Sequence, residues 1–495
     1  MSLLKLPLEV MREIIEESIP EGFESFMMSC RAVYECGRYL IYGYMTRKRQ
    51  FGELRFSLIA MDSSIYLDCL YRIAREPILA RYVRKANLDW ANRDPPQPFD
   101  AEDGPSDEAE ATERVKKFVS ESPYLRRAGV DAEVWARDMF PEQDALYRGG
   151  LKSRSLAVVF FLTLLPNVKT LALPMDWNFY AELTQTLAVM EAIVLMVQQN
   201  VRGTSLGNLS MMEIRVRYGY RERKDHVDLP RVLPFLGMPN LDVRIVCCLD
   251  EDDRAHIWRR PHVESGPWGI TLRRKRMRDS DISTLLSYAP DLRTFRVNHI
   301  QRYMKVGYIH RSDPFRAQLV DTIGKQVGSH LEELGMAMES HKNESALVLE
   351  EANGITCMDE FVSLKKLDVD IWVFCSSINR TTADDPWVGA SKPLVEILPP
   401  SLERLRIFVD PYRYKLISAD AVRRLFEGFA AGRSKYLPNL KDVCVQCNSN
   451  HSTRAFDDIR ACVEAEGARL EFRVGLPPYW KDVPPSLIHR YKRYR

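Results

Sequence analysis

The chain has 495 residues, ample for a buried core and too many for one compact core, so two or more units or one elongated array are expected. Its 45% apolar and 28% charged content belongs to an ordinary globular protein. A net charge of +2 supplies no bulk attraction, which argues against nucleic acid or a membrane surface as the main partner.

The longest apolar stretch, Leu156 to Leu165, falls well short of the ~20 residues that cross a bilayer. The first residues mix Lys5, Glu9, Arg12 and Glu13 into the apolar run, so no secretory pattern is read there. Ten scattered cysteines without disulfide-framework spacing suit a reducing compartment. A cytoplasmic or nuclear location is the expectation.

Residues 3–45 read as three short amphipathic helices. Pro7 suits the first helical position, where a missing N–H costs nothing. Val10, Met11, Ile14 and Ile15 then form one apolar stripe, interrupted after Ile19 by Pro20 and Gly22. Phe23, Phe26, Met27 and Cys30 mark a second helix, and Val33, Cys36, Leu40 and Ile41 a third. So small a unit buries little, and two uses are open for its surplus apolar surface: a handle for a partner, or a cap closing the first unit of a stacked array. A cap would be covered by that unit; a handle would stand clear on a linker.

Residues 46–149 read as a helical connector. Within it "ANRDPPQPFDAEDGPSDEAEA" (91–111) is an acidic, Pro-rich insert with the composition of a loop. From 150 to 475 one phrase recurs: "LPNVKTLAL" (165–173), "APDLRTFRV" (289–297), "PPSLERLRI" (399–407) and "LPNLKDVCV" (437–445). Each has a Pro, a polar residue, then apolar-x-x-apolar-x-apolar. "HLEELGM" (330–336) and "SLKKLDV" (363–369) keep the frame without Pro, and "MPNLDVRIV" (238–246) shifts register after its Leu. The first frame residues Leu292, Leu331, Leu364, Leu402 and Leu440 lie 39, 33, 38 and 38 apart, a spacing expected of stacked repeats. Alternation in the frame predicts a short half-buried strand, and the stretches between frames predict helices. The expected fold is α/β: an irregular solenoid of parallel strands with outer helices. A basic tail fills 476–495.

Other motifs keep two readings. Five basic residues in 273–278 suit nuclear import or a solvated loop, and "HRYKRYR" at the end suits RNA stacking or a basic tail. Cys444 and Cys447 with His451 and Cys462 suit a zinc site, or small buried residues on a strand. No phosphate-loop, dinucleotide, zincin or nucleophile-elbow motif is found, so no enzyme activity and no cofactor are expected. Trp177, His299, Trp372 and Tyr412, just past expected strands, are candidates for binding a protein substrate.

"LPLEVMREII" with "FMMSCRAVYE" and "YLIY" resembles the F-box, through Leu6, Pro7, Glu9, Val10, Ile14 and Ile15, then Cys30-Arg31 with Val33, then Leu40 and Ile41. The link "EESIPEGFES" departs from that pattern, with Pro20 and Phe23 where an Asp-Leu pair is common. The resemblance covers residues 3–45, within an expected F-box at 1–45. Together with the leucine-rich-like repeats it is similar to a fungal type of F-box protein. It implies that Leu6, Pro7, Val10, Ile14 and Ile15 dock a Skp-family adaptor, and through it a cullin. The repeats would present a protein substrate for ubiquitin transfer, as the substrate receptor of an SCF-type ligase.

Overall fold

The computed structural model describes residues 6–55, 64–88, 108–140, 146–174, 177, 183–215, 232–246, 267–273, 279–301, 315–340, 354–374, 392–409, 425–447, 460–461 and 464–472. The chain divides into two compact units, the first carrying the described residues to Val246 and the second those from Trp268 onward. Both are α/β, with parallel strands that pair in chain order.

The first unit opens with helices α1 (Leu8–Glu17), α2 (Phe23–Met27), α3 (Arg31–Gly37) and α4 (Ile41–Phe51). Five strands come after them: β1 (Glu53–Arg55), β2 (Lys85–Asn87), β3 (Thr170–Pro174), β4 (Met211–Arg215) and β5 (Asp242–Val246). Each pairs in parallel with the next. The crossovers carry α5 (Ser64–Arg75), α6 (Glu108–Ser120), α7 (Pro123–Arg127), α8 (Ala132–Met139), α9 (Leu146–Leu162), α10 (Leu183–Gln198) and α11 (Leu233–Leu236). Parallel neighbours require such crossovers, because a hairpin turn cannot reverse the chain direction twice.

The second unit holds β6 (Gly269–Arg273), β7 (Thr294–Gln301), β8 (Glu333–Ser340), β9 (Lys366–Asp370), β10 (Arg404–Val409), β11 (Asp442–Cys447) and β12 (Arg469–Phe472). These too pair in parallel, each with its successor. Helices α12 (Asp279–Ser287), α13 (Phe315–Val327), α14 (Leu394–Ile397) and α15 (Phe429–Tyr436) lie in its crossovers.

The repeated phrase explains the stacking. All five first frame residues, Leu292 through Leu440, are buried, and so are the strand residues next in the frame, such as Leu367 and Val369 or Leu405 and Ile407. In register Leu334, Leu367, Leu405 and Val443 face one way across four strands, an aliphatic row two residues wide on each strand. The polar residue just before the frame has its own task. Asn208 donates to the Pro166 carbonyl at 2.9 Å, Ser363 to Ser329 at 2.7 Å, Ser401 to Leu364 at 2.9 Å and Asn439 to Pro400 at 3.1 Å. In these four turns the slot thus ties a turn to the preceding one, satisfying a carbonyl that a tight turn would leave bare.

Three expectations change. The span 46–149, read as a helical connector, contributes β1 and β2 to the sheet, because "GELR" and "RKAN" are short strands without the Pro signal. Pro7 is not the first helical residue: it sits one position earlier with ψ 148°, and its carbonyl accepts from the Met11 N–H at 3.1 Å. The third helix stops at Gly37, and a 3-10 turn over Arg38–Leu40 leads into α4. A Cβ at Gly37 would sit 2.5 Å from the Met27 sulfur and 3.0 Å from Ile15, so a larger residue there would force the buried Met27 side chain to shift. Most of the acidic insert and all of the basic tail lie outside the described residues.

Candidate functional site

Helix α1 carries two apolar stripes rather than one. Met11 and Ile15, four residues apart, point inward and meet Ile19, Phe23, Met27 and Val33 in the small core of α1–α3; Ile15 is 0% exposed. Val10 and Ile14, also four apart, lie on the next stripe round the helix and remain 38% and 36% exposed. Of the proposed docking residues, Pro7, Val10 and Ile14 therefore face water and Leu6 is half-buried. Ile15 is a correction: it is spent on the internal core and offers a partner nothing.

Exposed apolar side chains are not confined to α1. Leu8, Val10, Ile14, Met28, Tyr34, Tyr39, Tyr42 and Met45 are eight of the thirteen large apolar side chains exposed among the described residues, Met28 at 86% and Tyr42 at 83%. Each large aliphatic kept in water forgoes ~1.5–3 kcal/mol of burial, so clustering them in under a tenth of the chain needs a reason. The Tyr39 hydroxyl donates to Glu16 at 2.6 Å, and that bond raises its pKa by stabilising the protonated phenol.

The opposite face of the helices is anchored. Phe23 stacks on Tyr44 with centroids 4.6 Å apart, and Tyr44 on Tyr82 at 5.7 Å. Burial pushes the Tyr44 hydroxyl up to about 12. Glu21, in the α1–α2 link, accepts from both ends of the Arg81 guanidinium at 2.9 and 2.6 Å and from Asn167 at 2.5 Å. Burial pushes its carboxyl up, but the bonds from Arg81 and Asn167 together outweigh that and hold it below its ordinary value. Asn167 also donates to the Arg81 carbonyl at 2.7 Å, so the first repeated phrase reaches back to the helices. No separate linker intervenes: α4 ends at Phe51 and β1 begins at Glu53. The helices are covered on one side and clear on the other.

The substrate candidates fare differently. Trp177 is 2% exposed and packs edge-on against Phe235 at 5.9 Å, so it is core, a correction to its reading as a binding residue. His299 lies on β7 in register with Met338, and Trp372 lies in a 3-10 turn after β9. Tyr412 is outside the described residues, as are 274–278, His451 and Cys462. Cys444 is fully buried; burial, then the bond its thiol gives Glu471 at 3.4 Å, push it up to about 11, so it holds its proton. Among the described residues no group of His, Cys, Asp or Glu is placed to hold a metal ion.

Sequence reasoning missed a second feature, the polar face of β9–β11. Opposite the aliphatic row, Asp368 and Arg406 are register partners, with Cys444 beyond them, while Lys366, Arg404 and Asp442 form the adjacent row. Asp368 is 5% exposed and reaches Arg404 only at 3.8 Å. Burial raises its pKa against the pull of Arg404 and Arg406. Gln446 is 0% exposed, and neither atom of its side-chain amide has a partner among the described residues; one oxygen of Asp368 and the Nε atoms of Arg404 and Arg406 also have none there. The alternation of charged and apolar residues in "RLRIFV" announces this face, but not its missing bonds.

No family model matches the chain, and no curated protein matches it.

Proposed function

We propose that this protein is the substrate receptor of an SCF-type ubiquitin ligase. Its N-terminal helices act as an F-box that docks a Skp-family adaptor, and its strands form an irregular leucine-rich-like solenoid that holds a protein substrate. The observation that carries the reading is the set of apolar side chains Leu8, Val10, Ile14, Met28, Tyr34, Tyr39, Tyr42 and Met45 left in water in a short helical segment whose core of Met11, Ile15, Phe23, Met27 and Val33 is filled. In this role the chain makes and breaks no bonds. It raises the effective concentration of a substrate lysine at a ubiquitin thioester formed elsewhere. The direct anchoring of α1–α3 through Glu21, Arg81 and Asn167 suits that task, because a receptor on a slack tether would orient its cargo poorly.

The same anchoring favours a second reading, a repeat scaffold closed at its start by a helical cap. Co-expression with a Skp-family adaptor separates the two. The receptor reading expects wild type to co-purify with adaptor in equal amounts, and a Val10→Asp/Ile14→Asp double variant to lose the adaptor while melting at the wild-type temperature. Wild type that purifies alone removes the ligase reading. Transfer of ubiquitin to a bound protein in the reconstituted complex then tests the cullin link.

A further inference from the structure

We propose that Met28 and Met45 are sites of oxidation by hydrogen peroxide, and that their conversion to methionine sulfoxide releases the partner held by the N-terminal helices. This adds regulation to the docking half of the receptor reading and rests on it.

The first argument is selective exposure. Two of the thirteen exposed large apolar side chains among the described residues are methionines, Met28 at 86% and Met45 at 52%, and both fall in this helical segment. Their chain neighbours are packed. Met27 is 6% exposed with its sulfur against Gly37, and Tyr44 is buried against Phe23. Met11, the other methionine of the segment, is 5% exposed in the same core as Met27. Met28 closes α2, its N–H donating to the Glu24 carbonyl at 3.0 Å, so a fixed backbone presents its thioether to water. Peroxide therefore reaches Met28 and Met45 in the folded chain, whereas Met11 and Met27 must wait for the core to open.

The second argument is the chemistry of the product. The sulfur lone pair attacks one peroxide oxygen, the O–O bond breaks, and a proton shift lets water leave. Sulfur gives up two electrons, peroxide takes them, and the thioether becomes a sulfoxide. A flexible apolar side chain of the kind used at binding surfaces is now a polar one. In water the added oxygen costs the fold nothing, because neither side chain is packed. Against an apolar partner that oxygen must shed its water with no donor to replace it. The loss thus falls on binding and spares stability, and reductases that act on methionine sulfoxide reverse it.

The test treats the purified full chain with hydrogen peroxide, alone and with a Skp-family adaptor, and maps the added oxygen by peptide mass spectrometry. Met28 and Met45 should be oxidised before Met11 and Met27, at an unchanged melting temperature, and bound adaptor should slow both. The oxidised chain should capture adaptor about tenfold more weakly. Methionine sulfoxide reductase should restore capture and dithiothreitol should not, which separates the methionines from the half-buried thiols of Cys30 and Cys36. A Met28→Leu/Met45→Leu variant, compared with its own untreated sample, should lose no capture on treatment. Equal oxidation of Met11 and Met27, recovery in dithiothreitol, or peroxide-sensitive capture in the double variant would each overturn the proposal. Adaptor held equally by reduced and oxidised chain sinks the regulation alone. Reduced chain that captures no adaptor sinks the ligase reading, and the oxidation map still decides the two modification sites.

Discussion

In the N-terminal helices several apolar side chains stand in water, whereas on one face of β9, β10 and β11 several polar side chains are shut away from it. Each region reverses the pattern that the rest of its own unit obeys. Elsewhere the frames bury Leu, Val and Ile, and before several of them Asn208, Ser363, Ser401 and Asn439 meet their hydrogen bonds. Sequences that are consistent at most levels tend to break their own rules where a partner completes the structure. The two reversals differ in kind: Leu8, Val10 and Ile14 keep apolar surface in water, and Gln446 and Asp368 keep hydrogen bonds unmade in the interior.

The largest effect that can break this contrast lies in α1. Ile14 and Ile15 are neighbours in sequence and opposite in role. Ile15→Ala, which empties a site in the α1–α3 core, should cost about 2–5 kcal/mol. Ile14→Ala should cost under about 0.5 kcal/mol, as an exposed substitution, and appear instead as weaker adaptor capture. Chemical denaturation of the two variants, then adaptor binding, checks both numbers. Equal destabilisation by the two would mean that the outward stripe is packed in solution and is no handle.

A smaller effect sharpens the other half. Asn439, an exposed turn residue in the same unit as the buried Gln446, donates with its amide to the Pro400 carbonyl at 3.1 Å. Asn439→Ala should therefore lose about 0.5–1.5 kcal/mol. Gln446→Met should move stability the other way. Opposite signs for these two amides of one unit would show that unmet bonds, not polarity itself, distinguish the β9–β11 face. Losses in both would return Gln446 to the ordinary core.

How much of the fold is legible in the sequence can be judged from the same residues. Frames announced by Pro, at Pro166, Pro290, Pro400 and Pro438, all lead into strands. Frames without it are harder to see: Val83, Ala86 and Leu88, or Leu209, Met212 and Ile214, are equally buried, but Ala and Met carry weak strand signals. "MPNLDVRIV" is shifted for a physical reason. Asn240 takes a positive φ of 57°, and β5 pairs Val243 with Met212 one residue sooner than the other frames would. On α1 the spacing gives one apolar stripe and does not say which half of it faces inward, since that depends on Gly37 and Met27 arriving from elsewhere in the chain. Trp177 fails as a site residue for the same cause: its position after a strand says nothing of Phe235, which buries it.

The smallest effect tests how firmly the helices are held. Glu21 has its pKa lowered in the fold, so the folded state binds fewer protons than the unfolded chain in the window just below 4.5. Its contribution is therefore present in full above the unfolded value and is lost as pH falls through the lower, folded one. The Glu21–Arg81 pair is about two-fifths exposed on both sides, so screening keeps that contribution under about 1 kcal/mol. Glu21→Gln should melt slightly below wild type at pH ~7, and the gap should close as the pH is lowered past the folded value. A gap that persists in acid would assign the role of Glu21 to shape and to its bond with Asn167 rather than to its charge. The helices would then stay seated on the first strands at any pH, with their outward apolar face unchanged.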